Sequence, residues 1–387
     1  MNWACVGVRA NHRLPSPVVG EGGPRSGSDE GSHFRLNRRS LLAAPLALAA
    51  CDRFASAQTP APEAAPLKSL APFPIGATGM TGQLSDAVWV AQMRRHVSQL
   101  TPEWELKPER ILQPDFTCDF SASDRIVDWG REQGMRIHGH TLVWYSQGQQ
   151  AFNDDLPRAR FASEYDRYVS TVAGRYRGRM AGWDVVNEPV AEDGDGLRDC
   201  HFSRALGQEG YIVRAFEQAR GADPEAVLFL NEYNLENIPK KGATFLRLVE
   251  RLLTLGAPVG GIGAQSHLDI EIPAGQITAF MRDAASLGLP IHVSELDFSL
   301  RSDSSLDTRS LGQKRAQQVA RVGELAEAFF ALPERQRYAF TTWGLRDTDS
   351  WLVREDGRGW RDESPLLLDA QGRANPAYQA VAAAFRA

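Results

Sequence analysis

The chain has 387 residues, 43% of them apolar and 24% charged, with a formal net charge of -5. That is enough for one large domain with its own core. The mild charge gives no reason to expect nucleic acid or an anionic membrane as a partner, and the body of the chain has no apolar run long enough to span a bilayer.

Taken in order, residues 1–57 read as a leader. Met1 to His33 are rich in Gly, Ser and Arg without periodicity, which fits a disordered stretch or an over-extended start. Arg35 to Ser40 followed by the apolar run Leu41 to Ala50 is the charged-then-apolar order of a signal peptide. Arg38-Arg39 resembles a twin-arginine export signal. Two processing sites compete: Leu48-Ala49-Ala50-Cys51, a lipobox-like run that implies a lipid anchor on Cys51, and Ala55-Ser56-Ala57 before Gln58, which is slightly favoured. Either way the product is expected outside the cytoplasm, periplasmic or secreted. Residues 58–72 are rich in Pro and Ala and read as a linker, and 73–387 as a single domain. Cys5 and Cys51 belong to the leader. Cys118 and Cys200 both fall in predicted loops, and a disulfide or two separate thiols fit equally.

From Phe73 onward short apolar runs alternate with helical patterns. The expected strands are Pro74–Ala77, Val97–Thr101, Met135–His140, Met180–Asn187, Val227–Asn231, Gly261–Ser266, Ile291–Glu295 and Tyr338–Trp343. Ser121 or Ser123 is expected to cap a helix running to Gln133, with Gly134 as its stop. Further helices are expected over Phe161–Tyr176, Gln208–Ala219, Lys241–Leu255, Ile277–Leu287, Leu311–Ala331 and Pro376–Ala387, with Gly256, Gly288 and Pro333 as stops. Eight strands alternating with helices predict an α/β fold, a (β/α)8 TIM barrel. A doubly wound sheet is the alternative, but no Gly-rich phosphate turn follows the first strand.

The polar residues collect at the ends of these strands. Gly182 to Pro189 is a buried run that ends in Asn187-Glu188, and Pro189, having no N–H, closes the ladder. Ile291 to Asp297 has the same grammar and delivers Glu295. The other ends carry Glu103, Trp104 and Lys107; His138, His140 and Trp144; Asn231, Tyr233 and Asn234; Gln265 and His267; and Trp343, Asp347, Asp349 and Trp351. One polar or aromatic group per strand end describes a polar cleft with aromatic walls on the face where barrel enzymes do chemistry. Two carboxylates flanking one bond are what glycoside hydrolysis needs.

Seven segments then carry a family resemblance: TPEWELK, GHTLVW, WDVVNEP, LNEYN, GAQSHL, VSELD and TTWGLRDTDSW, in order from Thr101 to Trp351. The chain resembles family 10 of the glycoside hydrolases, the endo-β-1,4-xylanases. The resemblance implies the barrel and hydrolysis of xylan or xylo-oligosaccharides with retention of configuration; no cofactor or metal is expected, and the chain is expected to act as a monomer. It implies Glu188 as acid/base and Glu295 as nucleophile. Asn187 would bond the sugar 2-hydroxyl. His267 would bond Glu295, with Asp297 orienting it, and Gln265 would lie close to both carboxylates. Glu103, Lys107, His140, Trp144, Trp343 and Trp351 would bind sugars on the non-reducing side of the cut, and Asn231, Tyr233 and Asn234 would line the other side. Alone, His267 reads as a satisfied core histidine, and Lys107 as a surface lysine.

Two positions depart from the family pattern. Trp104 stands where Asn is usual, and Tyr145 where His is usual. Both carboxylates remain, so the departures bear on the distal glycone subsite, meaning chain-length preference or tolerance of decorated xylan. Two rival readings are set aside and a third stays open. A metal hydrolase would use His138-Gly139-His140 with His267 and Asp297, but only one of the two paired histidines is expected to face the cleft. A non-catalytic xylan-binding protein would usually lack a carboxylate. Another retaining β-glycosidase, acting on cellulose or mixed-linkage glucan, is separable only by substrate assay.

Overall fold

A computed structural model describes residues 64–302, 304, 306–354 and 363–386. The readings of residues 1–57 and of the start of the linker lie outside these. Among the described residues, nine strands form one parallel sheet: β1 (Ile75–Gly79), β2 (Gln99–Pro102), β3 (Arg136–Trp144), β4 (Gly182–Asn187), β5 (Val227–Glu232), β6 (Gly261–Ala264), β7 (His267–Asp269), β8 (Ile291–Ser299) and β9 (Arg337–Thr342). β1 pairs with both β2 and β9, and β6 with β8, so eight strands close on themselves while the three-residue β7 lies against the far end of β8. A long helix follows each of the eight: Ala87–His96, Ser121–Glu132, Arg158–Arg175, Gly210–Ala222, Pro239–Thr254, Gln276–Ala285, Leu311–Phe330 and Pro376–Ala384. This is the expected (β/α)8 barrel.

The eight expected strands are all present, shifted by a few residues. The helix over Ala87–His96 was not anticipated. It presents Trp89 and Met93 to the core but leaves Val88 half exposed, so its apolar run has no clean helical period. The cap of the Ser121–Glu132 helix differs from expectation. Phe120 is the N-cap, the Asp119 carboxylate accepts the Ser121 N–H at 2.9 Å, and Ser123 Oγ instead donates back to the Phe120 carbonyl. The stops behave as read: Gly134, Gly256 and Gly288 take left-handed φ of 73°, 80° and 73°. Cys118 and Cys200 are both free thiols, and Cys200 is buried as the N-cap of the Cys200-flanked turn His201–Leu206.

The main core lies between strands and helices. Trp183 leans outward from β4, fully buried, and donates to Asp223 Oδ2 at 3.2 Å. It fits because its partner in register on β3 is Gly139, where a Cβ would lie 2.1 Å from the indole. Phe73, Phe329, Phe340 and Phe385 meet edge to face, with centroids 4.9–5.7 Å apart for the pairs in contact, and tie the last helix to β1 and β9.

The barrel interior holds a polar-aromatic layer. The His138 and His292 rings are 4.5 Å apart, His138 Nδ1 is 3.3 Å from Tyr338 Oη, and His292 Nε2 is 2.8 Å from Thr341 Oγ1. The expectation that His138 and His140 point opposite ways is overturned. Residues two apart on a strand share a face, and both rings turn inward to one carboxylate. Asp184 Oδ1 is 3.0 Å from His138 Nε2, and Oδ2 is 2.9 Å from His140 Nδ1. Asp184 therefore links this inner layer to the strand-end face above it.

Gly139→Ala is expected to destabilise the protein by about 1–3 kcal/mol, because the added methyl forces Trp183 or the β3–β4 ladder to move. Urea denaturation monitored by tryptophan fluorescence measures this; a midpoint within error of the parent would contradict the packing described.

Candidate active site

Glu188 follows the last residue of β4 in a left-handed conformation, with φ 59°. A glutamate pays strain there unless its neighbours hold it. They do: its N–H donates to the Asn231 carbonyl at 2.8 Å, and its own carbonyl accepts from Arg198 Nε at 3.1 Å. The side chain is buried and receives three neutral donors. Trp144 Nε1 reaches Oε2 at 2.8 Å, and Asn187 Nδ2 and Gln265 Nε2 reach Oε1 at 3.0 and 3.2 Å.

Glu295 lies within β8, also buried, in a different setting. Asn231 Nδ2 donates to Oε1 at 2.7 Å, His267 Nε2 lies 3.4 Å from Oε2, and His140 Nδ1 is 3.9 Å from Oε1. Burial pushes its carboxyl up, but His140 and His267 outweigh that and hold it below the ordinary glutamate value. His267 comes from β7, opposite Asp297 in register. Its Nδ1 meets Asp297 Oδ1 at 2.8 Å, and Trp351 Nε1 donates to Asp297 Oδ2 at 2.8 Å. Burial lowers the His267 pKa, yet Asp297 and then Glu295 raise it to about 10. His267 is thus a cation held between two carboxylates.

The two glutamates are joined. Asn231 Nδ2 donates both to Glu295 Oε1 and, at 2.9 Å, to Asn187 Oδ1, while Asn187 Nδ2 donates to Glu188 Oε1. Ser294 Oγ fixes the Asn231 amide by donating to its Oδ1 at 2.8 Å. Asn231 is fully buried in this bridge, so it lies between the carboxylates rather than along the outer wall where the sequence reading put it. The Tyr233 hydroxyl meets Glu192 and accepts from Arg198 Nη2 at 3.2 Å. Asn234, with φ 57°, turns the chain just beyond.

The opposite side of the cleft is aromatic. Lys107 Nζ sits 5.3 Å from the Trp104 ring centroid, 5.0 Å from Trp144 and 5.3 Å from Trp343. Trp343 stands edge-on to His140 at 5.1 Å. Glu103 accepts from Thr78 Oγ1 at 3.1 Å. Trp351 is 39% exposed and covers His267, with ring centroids 5.9 Å apart. Tyr145 packs under the Arg198 guanidinium, 4.0 Å from its ring. The sequence reading did not single out Asp184, Ser294 or Arg198. Asp184 and Ser294 lie inside segments that it quoted, where an alternate-position polar residue in an apolar strand was the available signal. Arg198 lies in a loop with none.

The arrangement sets two buried, differently served carboxylates on one barrel, Glu188 just after β4 and Glu295 within β8. Residues 69–384 match the sequence model of glycosyl hydrolase family 10. The chain is 32% identical over 353 residues to endo-1,4-beta-xylanase A of Cellvibrio japonicus, covering 82% of this chain and 56% of that protein. It is 34% identical over 310 residues to endo-1,4-beta-xylanase B of Paenibacillus barcinonensis, covering 77% and 91%. Among solved structures, xylanase A of P fluorescens subsp. cellulosa in complex with xylopentaose superposes with a TM-score of 0.75 at 30% identity, over 83% of this chain and all of that one. The chain belongs to glycosyl hydrolase family 10. It spans only about half of the Cellvibrio relative, and 28% of exoglucanase XynX from Acetivibrio thermocellus.

A raised histidine pKa has a definite consequence for stability. With His267 at about 10 when folded and about 6.5 when unfolded, its contribution is complete below about pH 6.5 and is lost as pH rises toward about 10. The stability difference between the parent and His267→Gln is therefore expected to shrink from pH 6 to pH 10. Denaturant midpoints across that range, with the imidazole titrated by NMR, check it; a difference that grows with pH would contradict the assignment.

Proposed function

We propose that this chain is an endo-β-1,4-xylanase that cleaves internal xylosidic bonds by double displacement with retention of configuration. The observation that carries the reading is the unequal pair of buried carboxylates on one amide bridge. Glu295, beside the cationic His267 and held below the ordinary glutamate value, is suited to stay ionised and attack the anomeric carbon. Glu188, bonded only through neutral donors, is suited to exchange a proton. In the first step the Glu295 oxygen bonds to the anomeric carbon while Glu188 gives its proton to the departing glycosidic oxygen. In the second, Glu188 takes a proton from water, whose oxygen displaces Glu295 and restores both groups.

Asn187 would bond the sugar 2-hydroxyl, with Gln265 close to the two carboxylates; its donation to Glu188 Oε1 supports that reading. Glu103, Lys107, His140, Trp144, Trp343 and Trp351 would hold sugars on the glycone side, with Tyr233 and Asn234 beyond the cut. The names of the relatives support xylan as substrate, and the signal-peptide order of residues 35–50 supports an exported enzyme. The carboxyl groups are expected roughly 5–5.5 Å apart, the spacing of a retaining pair.

The test is turnover of β-1,4-xylan in the presence of a chelator, followed by reducing ends and by NMR of the first-formed anomer. The parent should release the β-anomer first. Glu295→Ala should lose activity by at least about 10³-fold. Release of the α-anomer first, or full activity in the variant, would sink the mechanism, while activity on glucan alone would sink the substrate. A second expectation concerns Trp104: Trp104→Asn should change the distribution of oligosaccharide products while leaving the cleavage chemistry intact, and an unchanged product profile would remove Trp104 from the specificity determinants.

A further inference from the structure

Behind the cleft lies a charged pair that the reaction scheme above does not use. Glu232 ends β5, one residue after Asn231, and its side chain turns away from the cleft toward the Pro239–Thr254 helix. There it meets Lys241, with Nζ 3.1 Å from Oε1, and neither side chain has any exposed surface. The ammonium also lies 3.4 Å from the Tyr233 ring centroid. A buried pair of this kind has a large desolvation cost and is weak evidence for stability alone.

What the pair holds is the turn carrying Glu188. Glu232 Oε2 accepts the Val190 N–H at 2.9 Å, two residues after Glu188, and Oε1 accepts the Tyr233 N–H at 3.1 Å. The end of β5 thus binds the turn on both sides: the Asn231 carbonyl takes the Glu188 N–H, and the Glu232 carboxylate takes the Val190 N–H. Between these two anchors Glu188 keeps its left-handed φ. A carboxylate can serve both N–H groups and Lys241 at once; a single amide oxygen cannot.

We propose that Glu232, charge-compensated by Lys241, is a positioning residue for the acid/base, fixing the backbone turn that aims Glu188 at the scissile oxygen. This rests on the assignment of Glu188 made above. The charged and titratable groups around Glu232 are Lys241 from the helix, Glu188 and Arg198 from the β4 loop, and Tyr145 and Tyr211, whose own proton affinities register its charge. Burial raises the Glu232 carboxyl to about 7, against the pull of Lys241 and with a further push from Glu188, which agrees with electrical contact between the two glutamates.

The experiment compares Glu232→Gln with the parent on two substrates. One is a xylo-oligosaccharide, whose poor leaving group needs the acid; the other is 2,4-dinitrophenyl β-xylobioside, whose leaving group does not. The expected result is a fall in kcat/KM on the order of 10–100-fold for the oligosaccharide, a fraction of the 10²–10⁴ that acid/base catalysis supplies. On the dinitrophenyl glycoside kcat/KM should hold within about 3-fold, while kcat drops and azide restores it, because azide needs no base. Equal losses on both substrates, or no loss on either, would overturn the proposal. Where Glu232→Gln does not fold because Lys241 is left without its counterion, Glu232→Gln/Lys241→Met removes both charges and carries the same test. A parent that turned over β-glucosides and not xylosides would refute the substrate reading alone; the same ratio measured on the glucoside pair would still decide the role of Glu232.

Discussion

The constraint on which the site depends is the amide bridge between two carboxylates. Asn187, Asn231 and Gly263 are successive partners in register across β4, β5 and β6. Asn231 can occupy the middle because Gly263 has no side chain: a Cβ there would lie 2.2 Å from Asn231 Oδ1. The Ser294 hydroxyl claims that oxygen, so the Asn231 amide hydrogens must face Asn187 and Glu295. Each of these groups is buried, and each would cost about 1–3 kcal/mol if left without a partner. The network is therefore cooperative: no member can turn without leaving another unsatisfied. The spacing of the two glutamates is set by strand register and by side chains that have one available arrangement.

On that shared frame the two carboxylates differ through what else reaches them. The β8 carboxylate faces two imidazoles, one of them kept protonated by Asp297, and Asp297 is itself held by Trp351. The β4 carboxylate has an indole and two amides. Cationic donors favour the ionised form strongly, while neutral donors favour it weakly and tolerate proton exchange. Two chemically identical side chains thus stand in different electrostatic settings on one frame.

Much of this was legible in the sequence, for a physical reason. Parallel barrel strands are buried on both faces, so they read as apolar runs, and a polar residue placed at their ends is conspicuous. Glu188, just past β4, and Glu295, in the apolar run of β8, stand out in that way. What was not legible depends on which face a residue takes or on what lies across the barrel. That His138 and His140 share a face follows from their spacing, but that Asp184 of the neighbouring strand takes both rings does not. Asn231 is a bridge because Gly263 beside it is empty. Arg198 reaches Glu188, Tyr145 and Tyr233 from a loop without periodicity, and β7, three residues long, gives no strand signal yet brings His267 opposite Asp297.

The strained backbone shows where stability has been exchanged for geometry. Among the described residues four non-glycines have positive φ, and three of them, Glu188, Asn234 and Ser266, follow β4, β5 and β6. Each such residue costs on the order of 1–3 kcal/mol and persists only where its surroundings leave no alternative. Ser266 is held by Glu236, whose Oε1 accepts from its hydroxyl, and this turn leads directly into His267. Glu188 is held by Asn231, Glu232 and Arg198, which act on its own backbone or on the N–H two residues later. In both turns a buried acidic side chain bonds a strained segment whose neighbour or occupant is a group of the site. The buried acids Glu232 and Glu236 thus each hold a strained turn, one beside Glu188 and one leading into His267.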